Sequence, residues 1–523
     1  MKHEPIPVVD VFAGPGGLGE GFSSLGREEG LIHFKICLSV EENYSAHQTL
    51  ELRSFFRQFP IETVPDEYYI HIRGEISRST LFNMYPREAE QASREAWRAT
   101  LGKVPPEEVD RRIEKALGRR KTWVLIGGPP CQAYSLIGRA RLGGIDPDDP
   151  RVYIYREYLR ILSRHAPPVF VMENVKGLLS SRVNGDFIFE RIYDDLQNPA
   201  EAVLCLSGQR NGKLHDVNYR VFSFVRPSEN DGLFGKPSYR PQDFIIKCEE
   251  YGIPQSRHRV ILLGIRNDLG SISPKILKKS NRRVKAASVL DSLPRVRSGL
   301  SRESDSKTRW RDRIKEALKE PWLKEIRKIK QTDVYEELCS TVLNLKVPRK
   351  DRGGEFLFHS KIPRYMKKWF HDSRLKGVCN HTTRAHMVLD LYRYLYAACF
   401  SRVYNKSPKL NDFPTALLPN HRSVPKALKG RNFNDRFRVQ VSDQPATTIT
   451  SHISKDGHYY IHFDPSQCRS LTVREAARLQ TFPDNYFFCG DRTPQYVQVG
   501  NAVPPFLAKQ IAAIVLDVLR RAK

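Results

Sequence analysis

The sequence predicts an α/β fold, a mostly parallel sheet with helices on both faces, joined to a second, irregular domain. Three observations carry that expectation. Apolar runs at residues 8–12, 34–40, 123–126, 169–172 and 260–265 have the length of buried strands. Segments of helical period, such as residues 153–162, alternate with them. A glycine-rich turn, DVFAGPGGLG at residues 10–19, follows the first run directly, where an open α/β sheet receives a ligand at a helix N-terminus.

Taken in order, the first run leads into Gly14-x-Gly16-x-x-Gly19, and Glu41 ends the second run about 20 residues later. That spacing suits a nicotinamide dehydrogenase and a sulfonium cofactor equally. Both need glycines that let the backbone approach, a helix N-terminus that favours an anion, and an acid for ribose hydroxyls. Residues 86–120 are charge-rich good helix formers without a strand pattern and read as a helical insertion. The third run leads into GGPPCQAYS at residues 127–135, which puts Cys131 behind two prolines at a strand exit. Glu173 and Asn174 follow the fourth run, and Gln255-x-Arg257-x-Arg259 precedes the fifth.

After Arg266 the texture changes. Residues 271–330 carry roughly twelve of the net +26 charge, and the aromatic clusters from there to about Gln444 lack the strand–helix rhythm. This stretch reads as a second domain. Thr472 with Glu475 forms a capping box that opens a helix at 471–479, and a final helix at 505–520 returns the chain to the first domain. The expected division is 1–270, catalytic; 271–441, recognition; and 442–523, the return. At 523 residues the chain exceeds what one core usually holds, so two domains are the default.

Composition narrows the function. A charge of +26 and a pI near 9.7 imply a polyanionic partner, because Lys and Arg that neutralise phosphates release counterions. Nine scattered cysteines without a Cys-x-x-Cys argue against a disulfide framework and a zinc ribbon, and Cys379, His381 and His386 match no common metal spacing, so no metal is expected. The N-terminus lacks the apolar region of a secretory signal, and residues 511–519 are short and broken by Asp517, so neither export nor a spanning helix is expected. A reducing cytoplasm suits this chain.

DVFAGPGG, PPCQ-x-x-S, Glu173-Asn174-Val175, Gln255-x-Arg257-x-Arg259 and VQVGNAVPP at 497–505 occur in one unpermuted order. Together they resemble the motifs of the DNA (cytosine-5) methyltransferase family, and QPATTITS with RSLTVREAARLQTFPDNY extends the likeness to residues 6–266 and 442–518. The resemblance implies a Rossmann-like core that uses S-adenosylmethionine, and a double-stranded DNA substrate. It assigns the cofactor to Asp10, Phe12, Ala13, Gly14, Gly16 and Gly17, with Phe12 on the adenine, and to Pro129 and Asn501. Glu41 would bind the ribose, and Glu75 would replace the family's usual Asp on the adenine amino group.

In the same way Cys131 is implied to add to C6 of an extruded cytosine, Glu173 to hold its N3 and amine, and Arg259 to bond its O2. Arg257, which supports the loop, and Asn174 complete the catalytic set. Gln132, Ser135, Arg139 and Arg141 are the expected DNA contacts of the loop, and Asp149-Pro150-Arg151 resembles a shortened fifth motif. The expected setting is bacterial restriction-modification or phage defence, with a monomer on nucleoid DNA and a nuclease acting separately. An RNA (tRNA) cytosine-C5 methyltransferase and a DNA-binding regulator on the same scaffold stay open as alternatives.

Overall fold

A computed structural model describes residues 4–130, 154–183, 186–207, 215–227, 239–421, 424–429 and 434–522. Its main sheet contains β1 (Ile6–Val11), β2 (Phe34–Glu41), β3 (Ala96–Arg98), β4 (Val124–Gly127), β5 (Val169–Val175), β6 (Tyr219–Ser223), β7 (Ile245–Lys247) and β8 (His258–Arg266). The strand order is β3-β2-β1-β4-β5-β8-β6, with β7 also paired to β8. The first five strands in that order are parallel, and β8 is antiparallel to β5, β6 and β7.

The parallel strands read as unbroken apolar runs because both of their faces are buried. Successive residues point to opposite faces: Val9 and Val11 enter one core with Tyr158 and Phe170, while Val8 and Ile36 enter another with Ile511 and Val515. The second layer is built from α1 (Gly17–Ser24) and the C-terminal helix Pro505–Arg521. Their approach requires glycine, since a Cβ on Gly21 would lie 2.3 Å from that of Ala508. Residues Arg492–Arg521 are long and apolar enough to cross a membrane by length and composition alone, but 72% of the most apolar window is buried in the protein. This is a core element.

Two other expectations are corrected. The 86–120 segment holds helices Pro86–Glu95 and Pro106–Leu117, but between them runs β3, which pairs in parallel with β2. Three residues, Ala-Trp-Arg, are too few to show a strand period. The boundary at 442 is also too sharp. Ile461 and Cys468 pack in the second core with Trp310, Trp322, Leu338 and Phe400. A further apolar cluster, from Ala286 and Phe370 to Leu471 and Tyr496, seams the two domains. The helix Val473–Leu479 begins at Thr472 with both arms of the expected capping box formed to Glu475.

Candidate active site

The sheet brings Asp10, the turn 12–17, Glu41, Pro129 and Glu173 to the C-terminal ends of β1, β2, β4 and β5. After β1 the backbone takes positive φ at Phe12 (56°), Gly14 (58°) and Gly16 (88°), so the turn is tight and α1 can start at Gly17. Ala13 N–H donates to Val40 O, and Gly14 N–H donates to Glu41 Oε2 at 2.8 Å. The other Glu41 oxygen accepts from Asn43 N–H, also at 2.8 Å. Burial still raises the Glu41 carboxyl, against those two bonds.

Gly16 and Gly17 are closed positions and Gly14 is open. A Cβ on Gly17 would lie 2.2 Å from Val503 O, and one on Gly16 2.7 Å from Leu50 Cδ2, whereas one on Gly14 would meet nothing within 4 Å. The Tyr486 hydroxyl donates to Pro15 O and pins the turn from above. Asp10 is 1% exposed, neither of its oxygens has a well-aligned hydrogen-bond donor among the described residues, and burial lifts it to about 8 against the opposing charge of Arg57 and the nearby Gly19 N–H. An open backbone face, a helix N-terminus and two carboxyl groups fit the amino-acid end and the ribose of S-adenosylmethionine.

Glu173 lies inside β5 opposite Ile261, because the strand extends three residues beyond the apolar run. It is 8% exposed rather than a solvated strand end. Arg259 Nε stands 2.8 Å from Glu173 Oε1 but off the N–H axis, so this is a charge contact and not an aligned hydrogen bond. The other carboxyl oxygen lies against Gly128, where a Cβ would come within 2.8 Å of Oε2. Burial pushes the Glu173 carboxyl up, with Arg259 and Arg257 opposing. A buried carboxyl beside a guanidinium can face one heteroatom of a ligand while the cation faces another.

Arg257 does not stand at the mouth of the site. It is fully buried, donating from Nη1 to Ile449 O at 2.5 Å and from Nη2 to Gly500 O at 3.0 Å. Burial, reinforced by the charge of Arg259, lowers it to about 9. Gln255, which sequence reasoning left without a role, braces the same seam: it accepts from Ile449 N–H at 2.7 Å and donates to Leu479 O at 3.2 Å. Asn174 is buried, and its Oδ1 accepts from Val175 N–H. Asn501 is exposed at the end of the helix Arg492–Asn501, next to Gly500.

Glu75 does not join this cluster. It is exposed in the turn after the helix Asp66–Ile72, its N–H bonded back to Ile70 O, and the neighbouring Arg73 reaches Arg374 O in the second domain. The strand that follows β2 in the sheet is β3, whose end is Arg98. Phe12, half-buried, packs against the core beside β1, and Pro129 is buried. Cys131, Gln132, Ser135, Arg139, Arg141 and Asp149-Pro150-Arg151 lie outside the described residues. The contact of Gly128 with Glu173 nonetheless brings the chain to that carboxyl three residues before Cys131.

The family model for C-5 cytosine-specific DNA methylase matches residues 78–198 and 233–516. Type II methyltransferase M.Bpa9945I of Bacillus paralicheniformis is 31% identical over 532 residues, covering 98% of this chain and 99% of the relative. Type II methyltransferase M.DdeI of Desulfomicrobium norvegicum is 22% identical over 516 residues, 97% of this chain and 87% of the relative. The DNA (cytosine-5-)-methyltransferase M.ApeKI of Aeropyrum pernix is 24% identical over 437 residues, 76% and 81%.

Proposed function

The chain belongs to the C-5 cytosine-specific DNA methylase family, and from that premise we propose that it methylates C5 of a cytosine extruded from a specific duplex DNA sequence. The observation that supports this most is the buried Glu173–Arg259 pair at the start of the loop that carries Cys131.

Cytosine C5 is a poor nucleophile, so the ring needs activation. Extruding the base costs a few kcal/mol and exposes both of its faces. The Cys131 thiolate forms a bond to C6, and the ring electrons move towards C5. Once C5 carries the methyl group, loss of the C5 proton restores the ring double bond and breaks the S–C6 bond, freeing the thiolate. Glu173, raised by burial and so able to hold a proton, donates towards N3 and stabilises the electron-rich ring. Arg259 bonds the O2 oxygen. Arg257 and Gln255 position β8 by tying it to the Ile449 and Gly500 backbone.

S-adenosylmethionine, when bound, supplies an electrophilic methyl group. Gly14, Asp10 and Glu41 hold it, with Phe12 and Asn501 beside it. The positive recognition domain anchors phosphates and reads bases, and the setting is a bacterial restriction-modification or phage-defence system in the cytoplasm. In this reading the enzyme acts as a monomer, with any cognate endonuclease separate.

The test is covalent trapping. Incubation with S-adenosylmethionine and duplex DNA bearing 5-fluorocytosine should give a stable protein–DNA adduct, because the methylated C5 then has no proton to lose. Cys131→Ser should give neither adduct nor labelled DNA while still binding the duplex. Methyl transfer by that variant, or transfer to structured RNA in preference to duplex DNA, would overturn the assignment.

A further inference from the structure

At the other end of β2, away from Glu41, a cavity of about 330 Å³ opens between the first residues of that strand and the end of the helix Tyr44–Arg57. Strand β2 runs eight residues, which separates the two ends by roughly 25 Å. Phe34, Ile36 and Phe59 give the cavity apolar walls, and Ile32 and Ile61 at its rim are 54% and 38% exposed.

Its charges are unevenly matched. Arg27, Lys35 and Arg57 line it, with Glu62 and Glu95 as the only carboxylates. The Arg57 side chain is 8% exposed and gives Nη2 to Glu95 at 2.6 Å, while its Nη1 stays 3.8 Å from Glu20, a carboxylate already engaged by Arg53. Arg57 Nε and Nη1 are buried and find no hydrogen-bond acceptor among the described residues. Arg27 gives one N–H to Phe59 O, and burial lowers it to about 10. A buried guanidinium with two donors unmatched is a position that a fold holds at a loss unless something completes it.

We propose that this cavity binds a small organic carboxylate with an apolar or aromatic body, the carboxylate accepting from Arg57 and the body lying on Ile32, Phe59 and Ile61. Two carboxylates against three cations leave room for one negative charge, which disfavours a phosphate dianion. The apolar walls and exposed rim demand more than a bare ion. The site is separate from the catalytic end of the sheet and independent of the chemistry there.

Benzoate is the probe. Titrated into the full-length protein and followed by ligand-observed NMR, it should bind saturably with a Kd on the order of 1 mM, the strength of a well-placed fragment. Arg57→Gln should weaken it at least about tenfold, as expected for a lost charge-assisted bond. Because Arg57 also pairs with Glu95, Ile32→Asp on the exposed rim provides a second variant that leaves the buried pairs intact and should weaken benzoate similarly. Absence of saturable binding overturns the proposal, as does wild-type affinity in a folded Arg57→Gln and in Ile32→Asp. Inorganic phosphate binding as well as benzoate would overturn the assigned ligand class.

Discussion

Two buried guanidinium–carboxylate pairs in this protein behave in opposite ways. Arg469 grips Glu475 with Nη1 and Nη2, both at 2.6 Å, and Thr472 N–H adds a bond at 2.8 Å. Although burial opposes ionisation, these donors and the nearby His462 hold the Glu475 carboxyl well below its ordinary range. Arg259 touches Glu173 once, off axis, and there burial wins and the carboxyl rises. The residue types are the same; the number and aim of the donors decide the protonation state. The first pair is complete and locks the seam between the domains, while the second keeps unused hydrogen-bonding capacity of the kind a reacting base requires.

Removing each carboxylate should therefore break a different property. Glu173→Gln should lower methyl transfer by about two to four orders of magnitude, the usual range for lost acid–base assistance, with little loss of stability. Glu475→Gln should cost about 3–5 kcal/mol in urea unfolding, because it leaves Arg469 buried without its counter-charge. The pH dependences should also differ in sign. Glu475, depressed in the folded state, stabilises above its unfolded pKa near 4.5, and that contribution is lost as pH falls below it. Glu173, raised in the folded state, destabilises increasingly as pH rises above about 4.5, so Glu173→Gln should gain on the wild type towards pH 8 and not at pH 4. Equal stability losses in the two variants would erase the distinction.

A third acid extends the contrast. Asp10 has no well-aligned donor on either oxygen among the described residues and is lifted to about 8, so folding takes up a proton there between its unfolded pKa near 3.8 and pH 8. Stability from this residue falls as pH rises through that window. Asp10→Asn should stabilise the protein by roughly 2–4 kcal/mol at pH 8 and by almost nothing at pH 4 in urea melts. If Asp10 also meets the cofactor's ammonium group, the variant should bind S-adenosylmethionine more weakly in calorimetry despite its greater stability.

What the sequence made legible follows from the same physics. Strands buried on both faces declare themselves as apolar runs, so β1, β2, β4, β5 and β8 could be read, but the three-residue β3 and β7 could not. The capping box at Thr472 is local and was visible, whereas the ion pair it supports became visible only when Arg469 and Glu475 met in space. Glu173 announced itself by its place after an apolar run, and its burial did not. A supporting role for Arg257 could be read from the motif, but its acceptors, backbone carbonyls 192 and 243 residues away, could not. Glu75 was assigned from the family's motif, and its exposed place in the turn after the helix Asp66–Ile72 could not be read from that match.

The smallest effect tests the open and closed positions of the glycine turn. A methyl group at Gly17 would meet the Val503 carbonyl, so Gly17→Ala should destabilise the fold by about 1–3 kcal/mol, the range for overpacking against a rigid neighbour. Gly14 faces open space at φ 58°, so Gly14→Ala should cost only about 1 kcal/mol of backbone strain. The open face is useful only if a ligand lies against it. Gly14→Ala should therefore weaken S-adenosylmethionine by roughly tenfold in calorimetry, a loss its small effect on folding does not explain, since one methyl at a contact surface is worth about 1–3 kcal/mol. Unchanged affinity in Gly14→Ala would mean that the cofactor approaches the turn from another side, and that the space at Gly14 serves the turn's conformation alone.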